Sequence, residues 1–258
     1  NTMFETNNLS VRVGNTTLLN NVTVHFHSNQ LSAILGANGA GKSTLLKVLS
    51  GDIAPSSGTV SLCGQKLHEW PADELATTRA IMAQQRRPQF AFTVLEYLML
   101  ARHAWVESKQ QSIEFTDTIV QRLELQPFLQ RPITQLSGGE WQRVQFARSW
   151  LQVLSHEGVK NKVLLLDEPT AALDIYQQGR FFSLLKEFMT EGGTVLIVLH
   201  DINQAARIAD AMLLLNQGHV VASGRTQDVF SESHLNRCFN VSGSVQHHGD
   251  NHAYFHYL

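Results

Sequence analysis

The run Gly36-Ala37-Asn38-Gly39-Ala40-Gly41-Lys42-Ser43 has the residue types and spacing that cradle a chain of phosphates. Glycines let successive backbone N–H groups converge on phosphate oxygens, and the start of the helix that should follow adds partial positive charge. Lys42 is placed to reach the outer phosphates. The Ser43 hydroxyl suits a magnesium ion, and Thr44 continues the same turn. A loop of this kind calls for acids elsewhere in the chain, and Leu164-Leu165-Leu166-Asp167-Glu168 supplies two of them at the end of an apolar run. Asp167 is expected to hold Mg²⁺ through water. Glu168 is expected to orient the attacking water and accept its proton, which is general-base chemistry beside a γ-phosphate.

Three further positions have matching chemistry. His200 closes the run Val195 to Leu199, where an imidazole hydrogen bond stabilises charge on a transferring group; a structural role is the alternative for a lone histidine. Gln84 follows Ile81-Met82-Ala83 and offers an amide oxygen to Mg²⁺ and water, while Gln85 beside it offers the same chemistry. Far downstream, Ser137-Gly138-Gly139-Glu140 opens another helix and is a second anion-binding helix start. One γ-phosphate is hard to serve from both glycine segments if each ends its own distant subdomain. Two copies of the chain related by a two-fold axis solve the problem, one giving the loop Gly36–Ser43 and the other giving Ser137-Gly138-Gly139, with two identical sites as the result.

These residues need a frame of buried strands. Val22 to Phe26 alternates and Leu31 to Leu35 is a continuous apolar run ending at Gly36. A helix is predicted from about Lys42 to Ser50, stopped by Gly51. Pro55-Ser56-Ser57-Gly58 is a turn before a short strand, Thr59 to Leu62. Residues 85–155 read as all-helical, with Thr93 and Glu96 spaced as a helix cap. Beyond them, Val163–Leu166, Thr194–Leu199 and Ala211–Leu215 read as strands buried on both faces, separated by helices near 176–190 and 201–209. A turn at Gln217-Gly218 leads into Val220 to Ala222. The expected fold is α/β: a mainly parallel sheet, an N-terminal antiparallel β region and an inserted α-helical subdomain. The core is expected from 1–84 and 156–230, the subdomain from 85–155, and a C-terminal extension from 231–258.

Composition narrows the function. The chain has 258 residues and a formal net charge of −2, so no broad attraction to nucleic acid is implied and none is expected as a partner. Two cysteines, Cys63 and Cys238, make no disulfide framework and fit a reducing compartment. No apolar run approaches the roughly 20 residues that span a bilayer, and the opening residues have no signal-peptide pattern. A role at a membrane therefore requires docking onto another subunit. His247, His248, His252 and His256 crowd the C-terminal end; a metal- or cargo-binding tail is one reading, and a solvated, loosely ordered terminus is the expected one.

Taken together and in this order, the motifs resemble the ATPase subunit of ABC transporters, from about Leu9 to Val229. The resemblance implies ATP as substrate with Mg²⁺, Gly36–Ser43 as the phosphate loop, Gln84 as the glutamine loop, and Leu136–Glu140 as the signature. It implies Asp167 and Glu168 as the acidic motif and catalytic base, and His200 as the switch histidine. It also implies that Ala172-Leu173-Asp174 is a loop at the dimer interface that puts Asp174 beside the nucleotide. Two departures stand out: Val13 occupies the place where the family often stacks an aromatic residue on adenine, and Ala83 replaces a frequent proline.

Within the family the chain is similar to importer ATPases for haem, iron-siderophores and cobalamin, through Arg79 to Gln84, Phe90 to Glu96 and the absence of fused membrane helices. The long link Leu151 to Lys162 resembles the haem importers, with siderophore or cobalamin import and an exporter-type ATPase as the alternatives. The implied assembly is an ATPase homodimer with two transmembrane permease subunits, on the cytoplasmic face of the inner membrane, served by a periplasmic substrate-binding protein. A groove around Gln84 to Thr93, lined by Phe90, Phe92 and Leu95, is the expected permease dock, a core role for those side chains being the alternative. A chromosome or DNA-repair ATPase would need sustained heptads between Lys42 and Ser137, and there are none.

Overall fold

The computed structural model describes residues 1–84, 87–249 and 252–257, with the side chain of His248 excepted. In chain order the elements are β1 (Thr2–Val13), β2 (Thr16–His27), β3 (Leu31–Gly36), α1 (Lys42–Ser50), β4 (Ser57–Leu62), β5 (Gln65–Lys66), α2 (Ala72–Thr78), β6 (Arg79–Met82), α3 (Val94–Met99), α4 (Lys109–Arg122), α5 (Gly138–Val153) and β7 (Val163–Asp167). They continue with α6 (Ile175–Thr190), β8 (Thr194–Val198), α7 (Ile202–Ile208), β9 (Ala211–Asn216), β10 (His219–Arg225), α8 (Thr226–Val229), α9 (Glu232–Phe239), β11 (Gly243–His248) and β12 (His252–Tyr257). Two compact units result, one from Asn1–Trp70 with Thr194–Leu258, the other from Pro71–Gly193.

Among the described residues, the first unit holds strands of three sheets, the third being the C-terminal pair β11-β12. An antiparallel sheet runs in the order β2-β1-β4-β5. Strands β8, β3 and β9 lie side by side in parallel, and β10 pairs antiparallel with β9 across the turn at Gln217-Gly218. Every residue of β3 and of β8 is buried, as a strand covered on both faces must be. Helix α1 packs Leu45, Leu46, Val48 and Leu49 inward, and each such side chain contributes about 1.5–3 kcal/mol by leaving water. It ends where Gly51, at φ 85°, takes the left-handed conformation that a side chain would resist.

The second unit pairs β6 with β7 in parallel and surrounds them with helices. Thr93 and Ser108 cap α3 and α4, each in a reciprocal box with the residue three positions on. Helix α5 buries Val144, Phe146, Ala147, Trp150 and Leu151. Phe146 meets Phe181 edge-on at 4.9 Å, and Trp150 meets Phe188 at 5.4 Å. At the far end of α5, the Arg102 guanidinium donates to the Leu151 and Leu154 carbonyls and to both oxygens of Glu107. It lies between the rings of Trp105 and Phe115, at 4.5 and 4.3 Å.

One element is added to the sequence reading and one differs from it. Arg79–Met82 is a strand, β6, because its four residues lie along β7 in register, Arg79 opposite Val163 and Met82 opposite Leu166. The histidine-rich end is folded rather than loosely ordered. Strands β11 and β12 form an antiparallel hairpin in continuous register from Gly243↔Tyr257 to His248↔His252, anchored by the buried ring of Phe255. Among the described residues, no helix is long and apolar enough to cross a membrane, and no group of three potential ligands is placed to hold a metal.

Candidate functional site

In the first unit, the parallel pairing of β3 with β8 sets Ile34 opposite Val198, and the Leu199 N–H donates to the Ile34 carbonyl (3.3 Å). The phosphate loop and His200 therefore leave adjacent strand ends, at the carboxyl edge where such sheets hold ligands. The loop curls tightly: Gly39 and Gly41 have φ of 78° and 105°. A Cβ on Gly36 would lie 2.4 Å from the Leu215 carbonyl oxygen, and one on Gly41 would lie 2.8 Å from that of Leu18. These two positions admit only glycine, which lets the loop pack closely against β2 and β9; the Ala40 N–H closes the turn on the Ala37 carbonyl (3.0 Å), and the first N–H groups of α1 have no carbonyl within the helix to bond. Lys42 is 6% exposed, and its Nζ donates to the carbonyls of Gly36 and Ala37, which holds the ammonium against the loop. Ser43 lies exposed at the first turn of α1, with Thr44 half-buried behind it.

A glycine outside the motif supports the loop, and the sequence reading saw it only as a turn. The Gly218 N–H donates to the Ala40 carbonyl (2.9 Å), and its own carbonyl accepts from Asn20 (2.9 Å). Its φ is 78°, and a Cβ there would meet the Leu18 carbonyl oxygen at 2.6 Å. No local pattern in Gln217-Gly218 signals that role, which arises from the neighbouring β2 strand.

In the second unit, Gln84 and Glu168 each lie two residues past the paired positions Met82 and Leu166. Their side chains meet: Gln84 Nε2 donates to Glu168 Oε2. Glu168 holds φ at 50°, a conformation a residue with a side chain adopts only when its surroundings impose it. Asp167 is 9% exposed at the end of β7. Gln85 lies outside the described residues.

The same unit carries the second glycine segment. Ser137 caps α5: its Oγ accepts from the Glu140 N–H (3.1 Å), and Glu140 Oε2 accepts from the Ser137 N–H (2.8 Å). That backbone hydrogen bond, together with Arg131, outweighs burial and holds the Glu140 carboxyl below its ordinary pKa. Asp174 caps α6 in the same manner with Gln177. Gln177 also covers Gly139 so closely that a Cβ there would lie 2.4 Å from its amide nitrogen. Ser137 and Asp174 border one cavity of about 330 Å³, with Arg143 and Arg180 in its wall. The structure thus groups Ser137, Gly138, Gly139 and Asp174 at two neighbouring helix starts, and Gln84 with Glu168 at one strand edge.

The donor set suits the ligands that the motifs imply. The narrow glycine cradle with a lysine inside it fits a polyphosphate. The hydroxyl of Ser43, the carboxylate of Asp167 and the amide oxygen of Gln84 are hard oxygen donors of the kind Mg²⁺ selects. Val13, at the end of β1, is 64% exposed and presents an apolar surface.

Comparison with known proteins places the chain. Residues 19–171 match the family model described as ABC transporter. The hemin import ATP-binding protein HmuV of Escherichia coli O157:H7 is 39% identical over 252 residues, covering 97% of each chain. HmuV of Shewanella denitrificans is 36% identical over 249 residues, covering 96% of this chain and 97% of its own. Among solved structures, an ABC transporter assigned to the metal-chelate type, in an inward-facing conformation, superposes with a TM-score of 0.81 at 26% identity, covering 100% of this chain and 97% of that one. The dimeric bacterial cassette MJ0796 superposes with a TM-score of 0.75 at 28% identity, covering 87% and 99%.

The chain belongs to the ABC transporter ATP-binding family. It is an ATP-binding cassette and an ATPase of that family, as its motifs suggested.

Proposed function

We propose that this chain hydrolyses ATP to power the import of haem. The observation that carries the hydrolytic part is the contact between Gln84 and Glu168 at the carboxyl edge of β6 and β7. The amide fixes where the carboxylate points, and a positioned carboxylate is what a base for water requires. In this reading the backbone of Gly36–Ser43 and the Lys42 ammonium bind the β- and γ-phosphates and stabilise charge as the γ-phosphoryl leaves. Ser43, Asp167 and Gln84 hold Mg²⁺, which neutralises phosphate charge when bound. Glu168 takes the proton of the attacking water, and His200 donates a hydrogen bond to the γ-phosphate.

Two copies of the chain make the working unit. Ser137, Gly138 and Gly139 of one copy close on the γ-phosphate held by the other, and Asp174 lies at their shared face. The exposed apolar ends of Val13, Ile175 and Tyr176 are consistent with surfaces that are covered in the assembly. The helical subdomain, read from the sequence as 85–155, passes closure and opening to two permease subunits, which dock near Phe90, Phe92 and Leu95. Phe90 is 73% exposed and the other two are half-buried, so the trio offers apolar surface to a partner helix. The complex works at the cytoplasmic face of the inner membrane and receives cargo from a periplasmic binding protein.

The cargo assignment rests on the nearly full-length likeness to hemin importers. Import of another metal chelate, a siderophore or cobalamin, is the second reading, favoured by the likeness to the metal-chelate type transporter. Reconstitution with its permease in vesicles tests both. Hemin-loaded binding protein should stimulate ATP hydrolysis. Stimulation by a siderophore or cobalamin carrier, with none by the hemin carrier, overturns the haem reading.

A further inference from the structure

The folded C-terminal hairpin bears on the site through one side chain. Asn203, in the first turn of α7, pairs its amide with both backbone groups of Phe255. Its Nδ2 donates to the Phe255 carbonyl (3.1 Å), and its Oδ1 accepts from the Phe255 N–H (2.8 Å). An asparagine so near a helix start ordinarily spends its side chain on local capping. Here Asp201 does the capping, with its Oδ1 accepting from the N–H groups of Asn203 and Gln204 (both 2.9 Å), which leaves the Asn203 amide for the hairpin.

The hairpin is itself held firmly. Asn236 clasps Gly243 with the same two-way amide pairing, at 3.0 and 2.6 Å, and Glu232 accepts from the Val245 N–H at 2.9 Å. Phe255 is 2% exposed, and its ring lies so close to Gly243 that a Cβ there would approach within 2.4 Å. The strand that Asn203 grips is therefore a fixed edge.

His200 stands between two anchors in the same unit. Upstream, Leu199 is tied to the end of β3 by its bond to Ile34. Downstream, α7 begins at Ile202 and is tied to β12 by Asn203. We propose that Asn203 is a positioning residue: by docking the first turn of α7 on the C-terminal hairpin, it sets the backbone angle at which His200 faces the γ-phosphate. This assignment rests on the proposed role of His200. It gives the hairpin a part in ATP turnover that the family motifs do not contain.

The test measures turnover and nucleotide binding of the whole chain carrying Asn203→Ala, His200→Ala, and both. A displacement of about 1 Å at a reacting group can cost on the order of 100-fold in rate, so Asn203→Ala should lower kcat by roughly 10- to 100-fold. ATP affinity should stay within about threefold, because the phosphate loop is untouched. In the His200→Ala background the Asn203 substitution should cost nothing more, since the group it positions is gone. Asn203→Asp keeps the acceptor for the Phe255 N–H and should fall between wild type and Asn203→Ala; it serves also if the alanine variant folds poorly. Losses that multiply in the double variant, or unchanged kcat in Asn203→Ala, overturn the proposal. A His200→Ala variant with wild-type kcat instead overturns the reading of His200, and the two failures are thereby distinct.

Discussion

Replacing Glu168 by glutamine probes the hydrolytic site with the least disturbance. The amide is nearly isosteric with the carboxylate, and its Oε1 can still accept the bond from Gln84 Nε2. The backbone at φ 50° needs no change, since the new side chain branches no differently at Cβ. What is lost is the charge and the basicity. A positioned general base contributes about 10²–10⁴-fold, so the barrier should rise by about 2.7–5.4 kcal/mol at 1.36 kcal/mol per tenfold. The phosphate loop and Lys42 belong to other elements, so ATP affinity should change little. Single-turnover hydrolysis of radiolabelled ATP separates these quantities, and sedimentation with ATP should show a long-lived dimer. A variant that turns over at the wild-type rate refutes the base assignment. A variant that fails to bind ATP refutes the claim that Glu168 acts after binding.

Other substitutions test the packing at the far end of α5 and the surface at Val13. Arg102→Met removes a guanidinium that is 2% exposed and strands the Glu107 carboxylate, 6% exposed; breaking a buried pair in this way costs about 3–5 kcal/mol. The thermal midpoint should fall by about 6–20 °C, and a shift under 3 °C contradicts the packing described for the end of α5. Burial alone would raise the Glu107 pKa, but hydrogen bonds from Arg102 and Ser112 and nearby positive charge hold it below its ordinary value. A depressed carboxyl stabilises the fold above its unfolded pKa and loses that contribution as pH falls through its folded value, so the deficit of Glu107→Gln should shrink in acid. Val13→Tyr should tighten ATP binding about 2- to 12-fold, since aromatic stacking adds about 0.5–1.5 kcal/mol. Equal or weaker binding by calorimetry would mean that adenine does not pass over that residue.

Much of this arrangement is legible in the residues because the chemistry is local. The loop Gly36–Ser43, the acids after Val163–Leu166 and the cap at Ser137 are contiguous, and the buried strands announce themselves as unbroken apolar runs. The bounds of α1 follow from Gly41 before it and Gly51 after it. What escaped is set by contacts between distant parts of the chain. Arg79–Met82 is too short to show a period, and it is a strand because β7 lies beside it. Histidines and a few scattered apolar residues read as a tail, whereas β11 and β12 are fixed by Asn203, Asn236 and Glu232. Gly218 supports the phosphate loop from an element that a linear reading treats as a plain turn.

The central claim is that each ATP is hydrolysed between two chains, with Gly36–Ser43 from one and Ser137-Gly138-Gly139 from the other. Mixing two inactive variants tests it most directly. Lys42→Ala disables the phosphate loop, and Ser137→Arg fills the second half-site with a bulky side chain. Each alone should hydrolyse ATP at background rate. A mixed dimer contains one site with both defects and one site with neither, so combining the variants at equal concentration should restore turnover to a sizeable fraction of wild type. A mixture as inactive as its components, although mixed dimers are shown to form, contradicts the shared site.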